Sequence, residues 1–268
     1  MVYNLCISLF EVNINNIKEK LSNYFQDEII KQLYLIPKKV KQDTLINKLN
    51  DKLYIQKVLR TILHYKDKNI EKLIMQKINY FINDTGKSIN DCDIYVIIGL
   101  DTTTIYSVKY KNKDVTVLLL EATDAKEENL DLLLAHEFTH FVRKNLFNRD
   151  IFENCIGERF IVEGIGCNYS REMVPKKEEF QYCIVNQETF EWVKNNIKKV
   201  ELYMHGKLDS NELMSDYFYM FADTYKTGMP VRIGYVYGYL KVKDYLNKHH
   251  LRIKDIIGLN WEDILFDN

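Results

Sequence analysis

The stretch LLLAHEFTHFVRKN, residues 132–145, sets two imidazoles and a carboxylate in the middle of an apolar run. Burying such groups is costly unless each finds a partner. On a helix, His136 and His140 leave one face a turn apart and can share a metal ion, while Glu137 beside them is free to hold a metal-bound water. Leu132, Leu133, Leu134, Phe141 and Val142 make the helix a buried one, and no proline interrupts it. Two histidines on such a helix can also be hydrogen-bonded core residues, but the intervening glutamate favours the metal.

A catalytic zinc takes three protein ligands and keeps a fourth position open. The metzincin continuation needs Gly at 143 and His at 146; Arg143 and Leu146 exclude it. The best third ligand is Glu163 in FIVEGIG, because the helical neighbours on its stripe, Ile156, Phe160 and Cys167, are apolar and a lone buried carboxylate there needs a cation. The competing reading pairs Glu163 with Arg143. Glu158 and Glu153 are weaker ligands on more polar turns, and Cys167, one turn beyond Glu163, is a marginal one. Gly164 and Gly166 each cost roughly 1 kcal/mol in a helix interior relative to Ala, which fits close packing of another helix, here the HEFTH helix. Arg143, one turn after His140, is expected to tie its helix to a neighbouring carboxylate, since an interior charge needs a partner.

With 37 basic against 38 acidic side chains and a net charge of -1, the chain lacks the electrostatic footprint of a nucleic-acid binder. The apolar N-terminus has no basic leader and is interrupted by Asn4, Ser8 and Glu11, so no secretory signal is expected, and no run is long enough to span a bilayer. Five cysteines without CxxC spacing (Cys6, Cys92, Cys155, Cys167, Cys183) favour reduced thiols and a cytoplasmic location.

The runs NINNIKEKLSNYF, TLINKLNDKLYIQKVLRTILHYK and NIEKLIMQKINYFIN space apolar residues by three and four, so residues 1–90, a short first strand apart, read as a helical lobe with Pro37 and Gly86 as punctuation. DIYVIIGL, TIYSVKY and VTVLLLEA are β-branched and tyrosine-rich, and KNKD between the last two suggests a hairpin. A small sheet thus precedes the long helix, which begins near Asp124 with an Asp124/Glu127 capping box. The rest is mostly helical, broken near Pro175 and at KTGMP, residues 226–230. The fold class is α+β, with residues 91–268 carrying the chemistry and the whole forming one compact unit of two lobes.

HEFTHFVR, VEGIG and PVRIGYVYGYLKVKDYL, in that order, resemble the YjaZ-like family of predicted Zn-dependent proteases of zincin fold, over roughly residues 90–250. The resemblance implies a zincin-like fold and a gluzincin-type site, with His136, His140 and Glu163 as zinc ligands and Glu137 as general base. The Glu-x-x-x-Asp of thermolysin-like enzymes would need Asp at 167, where Cys167 stands, so the carboxylate that orients a zinc histidine must come from elsewhere. The aminopeptidase signature Gly-x-Met-Glu-Asn is absent.

Such a zinc lowers the pKa of its water toward about 7, so that Glu137 can take the proton and pass it to the leaving amine. GYVYGY offers Tyr235 for the oxyanion, with Tyr239 and His205 as alternatives. Its paired glycines, Gly234 and Gly238, allow close packing. VTVLLLEA is expected to present an open edge to an extended peptide. The leading expectation is a cytoplasmic zinc metallopeptidase acting on peptides or unfolded protein segments, with no nucleic-acid or membrane partner. The alternatives are a non-hydrolytic, zinc-braced protein-binding module and a hydrolase of non-peptide amides.

Overall fold

The β-branched runs between residues 94 and 121 pair as their composition predicts. β1 (Val2–Asn4), β2 (Ile94–Gly99), β3 (Thr104–Tyr110) and β4 (Lys113–Glu121) form one sheet in the order β1-β2-β4-β3, with β1, β2 and β4 parallel and β3 antiparallel to β4. Lys111 and Asn112, at φ 50° and 61°, make the β3–β4 turn, both in the left-handed region of the hairpin turn whose twist suits the strands.

The computed structural model describes residues 1–34, 47–89, 92–99, 103–121, 127–148, 155–211 and 228–267, with backbone alone at 127 and 128. Pro37, residues 44–46, the Asp124/Glu127 capping box, Glu153 and residues 226–227 lie outside the described residues.

The expectation that VTVLLLEA presents an open edge is corrected: β4 is hydrogen-bonded on both sides, and the edges of the sheet belong to β1 and β3. The near-continuous apolar run of β4 is the pattern of a strand covered on both faces and flanked by neighbours, and Val117, Leu118 and Leu120 are fully buried.

The helices preceding β2 are α1 (Ile17–Gln26), α2 (Glu28–Leu33), α3 (Lys52–Lys68) and α4 (Ile70–Thr85). Asp27 and Asp51 cap α2 and α3, each accepting two backbone N–H groups of the first turn. Asp51 therefore starts a new helix inside the run that periodicity alone reads as continuous. Leu21, Phe25, Ile30, Leu33, Ile55, Val58 and Ile62 are buried, and the hydroxyl of Tyr24 accepts the Ile98 N–H at 2.9 Å.

Contacts group the chain into two units: residues 1–79 with 91–130, and residues 80–90 with 131–268. The second unit holds most of α5 (Glu127–Phe147), then α6 (Ile156–Met173), α7 (Glu179–Tyr182), α8 (Gln187–Asn195), α9 (Ile197–Met204), α10 (Ile233–His249), α11 (Ile253–Ile256) and α12 (Trp261–Leu265). The chain is thus mostly helical with a small four-stranded sheet, an α+β fold. Among the described residues no helix is long and apolar enough to cross a membrane.

From Arg159 to Ser170 every residue of α6 is buried, as in a helix covered all round. Its polar side chains are used as ties: Ser170 Oγ donates to the Leu132 carbonyl of α5 at 2.9 Å, and Asn168 Nδ2 donates to the Tyr239 carbonyl of α10 at 3.0 Å. Where α6 crosses α10 the backbones touch. A Cβ on Gly238 would lie 1.9 Å from the Phe160 carbonyl oxygen, and one on Gly164 would lie 2.3 Å from the Gly238 oxygen, so neither position has room for a side chain. Arg143 behaves as its burial requires, pairing with Glu158 and donating from Nη1 to the Ile257 and Leu259 carbonyls at 2.9 and 3.0 Å. It holds α5 to α6 and to the chain after α11, and leaves Glu163 to other partners.

Candidate metal centre

Spacing of four on α5 brings the rings of His136 and His140 to 4.7 Å, nearly perpendicular. Glu163 of α6 meets both: its Oε2 lies 2.8 Å from His136 Nε2 and its Oε1 3.6 Å from His140 Nε2. One ligand atom from each of the three side chains fits within 4.8 Å of the others. His136 and Glu163 are buried, and His140, with 10% of its side chain exposed, is the most open. Two imidazoles and a carboxylate converging at a buried point are a donor set that suits zinc and leaves a fourth position for water. The group could hold a metal ion.

The electrostatics follow from this crowding. Burial pushes the Glu163 carboxyl up, but the imidazoles of His140 and His136 outweigh it and hold it well below the usual carboxylate range. Burial would lower His136, yet hydrogen bonds with Cys167 and Glu163 and the Glu163 charge carry it up to about 9. His140 moves up in the same way, against its burial, under the charges of Glu163 and Glu137. Glu137 differs: burial raises its carboxyl and the two imidazoles only temper the rise. Of the two carboxylates here, Glu163 is shifted down and Glu137 up.

Cys167 is the departure from the thermolysin-like pattern, and its place explains it. Its Sγ lies 3.9 Å from His136 Nδ1, the ring nitrogen away from Glu163, so the thiol stands where an orienting carboxylate would stand. It lies behind the His136 ring, on the side away from the Glu163 carboxylate. Gly166 completes the backing, since a Cβ there would come within 2.8–2.9 Å of three atoms of the His136 ring. The two glycines of VEGIG thus serve different neighbours, Gly164 the α10 crossing and Gly166 the imidazole. Gly166→Ala is expected to leave the helices folded, because the obstructed group is a side chain, and to weaken zinc binding by about 10- to 100-fold by turning His136 off Glu163. Competition against a chromophoric chelator measures this; parent-like affinity would mean that the ring is not held from behind.

The structure sorts the remaining candidates. Tyr235 on α10 has its ring centroid 6.5 Å from that of His136, is 9% exposed, and has its phenol pushed well up by burial and by the Glu163 charge. The Tyr239 hydroxyl is committed elsewhere, donating to Glu179 Oε1 at 2.7 Å and accepting from Arg171 at 3.3 Å. His205 is exposed at the C-terminal end of α9. Glu158 is occupied by Arg143. Arg232, just before α10, was not singled out by its sequence context: its guanidinium lies 5.9 Å over the Tyr235 ring. The only signal was a cation in PVRIG at a helix start, where acidic or capping residues are usual.

No curated protein and no solved structure matches the chain. One family model does, over residues 72–266, a span that includes the histidine pair, Glu163 and all of α10. The chain therefore belongs to the family described as predicted Zn-dependent protease (DUF2268), in agreement with the likeness carried by HEFTHFVR and VEGIG.

Proposed function

We propose that the chain is a zinc metallopeptidase of gluzincin type and zincin-like fold, cutting peptides or unfolded protein segments. The observation that carries this is the convergence of His136, His140 and Glu163 from two helices, with a burial-raised Glu137 beside them. Zinc held by the three side chains would supply a Lewis acid for the scissile carbonyl and an acidified water. Glu137 accepts the proton of the attacking water and returns it to the leaving amine. The high pKa of Tyr235 keeps its hydroxyl protonated, so it can donate to the oxyanion as charge develops there. Cys167 and Gly166 hold the His136 ring, and Arg143 fixes the end of α5 against α6.

The test is incubation of zinc-loaded protein with a reduced, unfolded polypeptide and a mixed peptide library, followed by mass spectrometry. Expected are new peptide termini that a chelator abolishes and zinc restores. If the zinc-loaded protein leaves every peptide intact, the peptidase reading fails; cleavage of small amides alone would assign a different amidohydrolase, and no hydrolysis at all would leave the metal as a brace between α5 and α6.

A further inference from the structure

Arg232 carries three features that its fold role does not account for. It occupies the left-handed region at φ 60° and ψ 24°, a conformation disfavoured for any residue with a Cβ. Its Nη1 donates at 2.9 Å to the carbonyl of Ile184, which is itself left-handed at φ 54°, the region a β-branched residue avoids most. Two strained residues are thus joined by one hydrogen bond, and what they fix is the guanidinium of a partly buried arginine over the face of Tyr235. Among the described residues no carboxylate forms an ion pair with it, whereas Arg143, Arg252, Lys241 and Lys243 of the same unit each have one. Among the described residues the guanidinium donates a hydrogen bond only to Ile184, and a planar fork of such donors matches a carboxylate.

Position gives the recognition its meaning. Steps of 5.9 Å from Arg232 to the Tyr235 ring and 6.5 Å from that ring to His136 separate the guanidinium from the candidate metal centre. An extended peptide, advancing about 3.3 Å per residue, covers that in three or four residues. Resting on the metallopeptidase reading, we propose that Arg232 is a specificity-determining residue that binds a substrate carboxylate within about four residues of the scissile bond, making acidic peptides the preferred substrates. Its charge also reaches the Tyr235 phenol, which it opposes in direction to Glu163.

The carboxylate has two sources, an acidic side chain or the α-carboxylate of a peptide end. Zinc-loaded Glu137→Gln protein, chosen because its turnover is expected to be at least about a hundredfold slower, is titrated with three fluorescein-labelled alanine-based peptides and followed by anisotropy. One carries glutamates and an amidated end, one carries glutamines and an amidated end, and one carries glutamines and a free carboxyl end. The glutamate peptide is expected to bind about tenfold more tightly than the amidated glutamine peptide, in line with one charge-assisted hydrogen-bonded pair. Tighter binding of the free-carboxyl peptide instead would place the α-carboxylate on Arg232. Adding Arg232→Ala should make the peptides bind alike, and Arg232→Lys should restore part of the difference, keeping the charge but losing the fork. Equal binding of all three before Arg232 is changed, or discrimination that survives Arg232→Ala, overturns the assignment while leaving the peptidase reading intact if the parent cuts the peptides. If no peptide binds and the parent cuts none, both fall together.

Discussion

Glu137→Gln is expected to take up zinc in the parent's amount and to lose about 10²- to 10⁴-fold in kcat, with little change in KM. The amide fills the carboxylate's volume and keeps a hydrogen-bonding oxygen, and Glu137 is not one of the three side chains whose ligand atoms converge. What it loses is the capacity to take a proton and give it back. Burial raises the Glu137 carboxyl, so the protein has already moved this group toward the range where both transfers are easy, and an amide cannot follow. Active-site titration with zinc analysis of the same sample measures both quantities. Parent-like turnover would remove Glu137 from the chemistry, and loss of zinc would make it a ligand.

Gly238→Ala is expected to be the most damaging single methyl that can be added to the second unit. The new Cβ would stand 1.9 Å from the Phe160 carbonyl oxygen, and a backbone atom in the buried stretch of α6 cannot swing aside. α6 and α10 would have to separate along their contact. The cost is on the order of 3 kcal/mol or more, a large part of the stability of an ordinary domain. Gly258→Ala is the matched control: its Cβ would meet Leu146 at 3.5 Å, an ordinary contact, so its effect should stay within about 0.5 kcal/mol. Urea unfolding of the two variants decides the matter, and equal midpoints would contradict the crossing described above. Because α6 also carries Glu163 and Gly166, zinc affinity should fall together with stability in Gly238→Ala.

The parts of this molecule that were legible in the sequence are those in which one chemical demand allows few residues. His136 and His140 on an apolar helix, a carboxylate at 163 on an apolar stripe, and helix-interior glycines each state a need that a neighbour must meet, and the structure supplies neighbours for them. Arg143 reads the same way, as a buried charge that finds Glu158. What the sequence concealed depends on pairing between distant segments. The β3–β4 hairpin is visible in the sequence, but only the fold says that its second strand, and not its first, pairs with β2 and so lies in the interior rather than at an edge. Asp51 stops one helix and starts another where periodicity runs on, because a cap acts through two local hydrogen bonds that apolar spacing does not record. Cys167, one turn from Glu163, read as a marginal ligand at most; that its thiol faces Nδ1, on the far side of the His136 ring, depends on how α5 and α6 pack and is not written in the spacing. Arg232 gave almost none, since its place depends on a left-handed residue and a carbonyl some fifty residues earlier in the chain.

The most direct measurement is the metal content of the purified chain and of Glu163→Ala by elemental analysis after dialysis against trace zinc. The account predicts about one zinc per parent chain and almost none in the variant, whose circular dichroism should remain helical. A Glu163→Ala protein that holds zinc as the parent does, or a folded parent that takes up none, would contradict it.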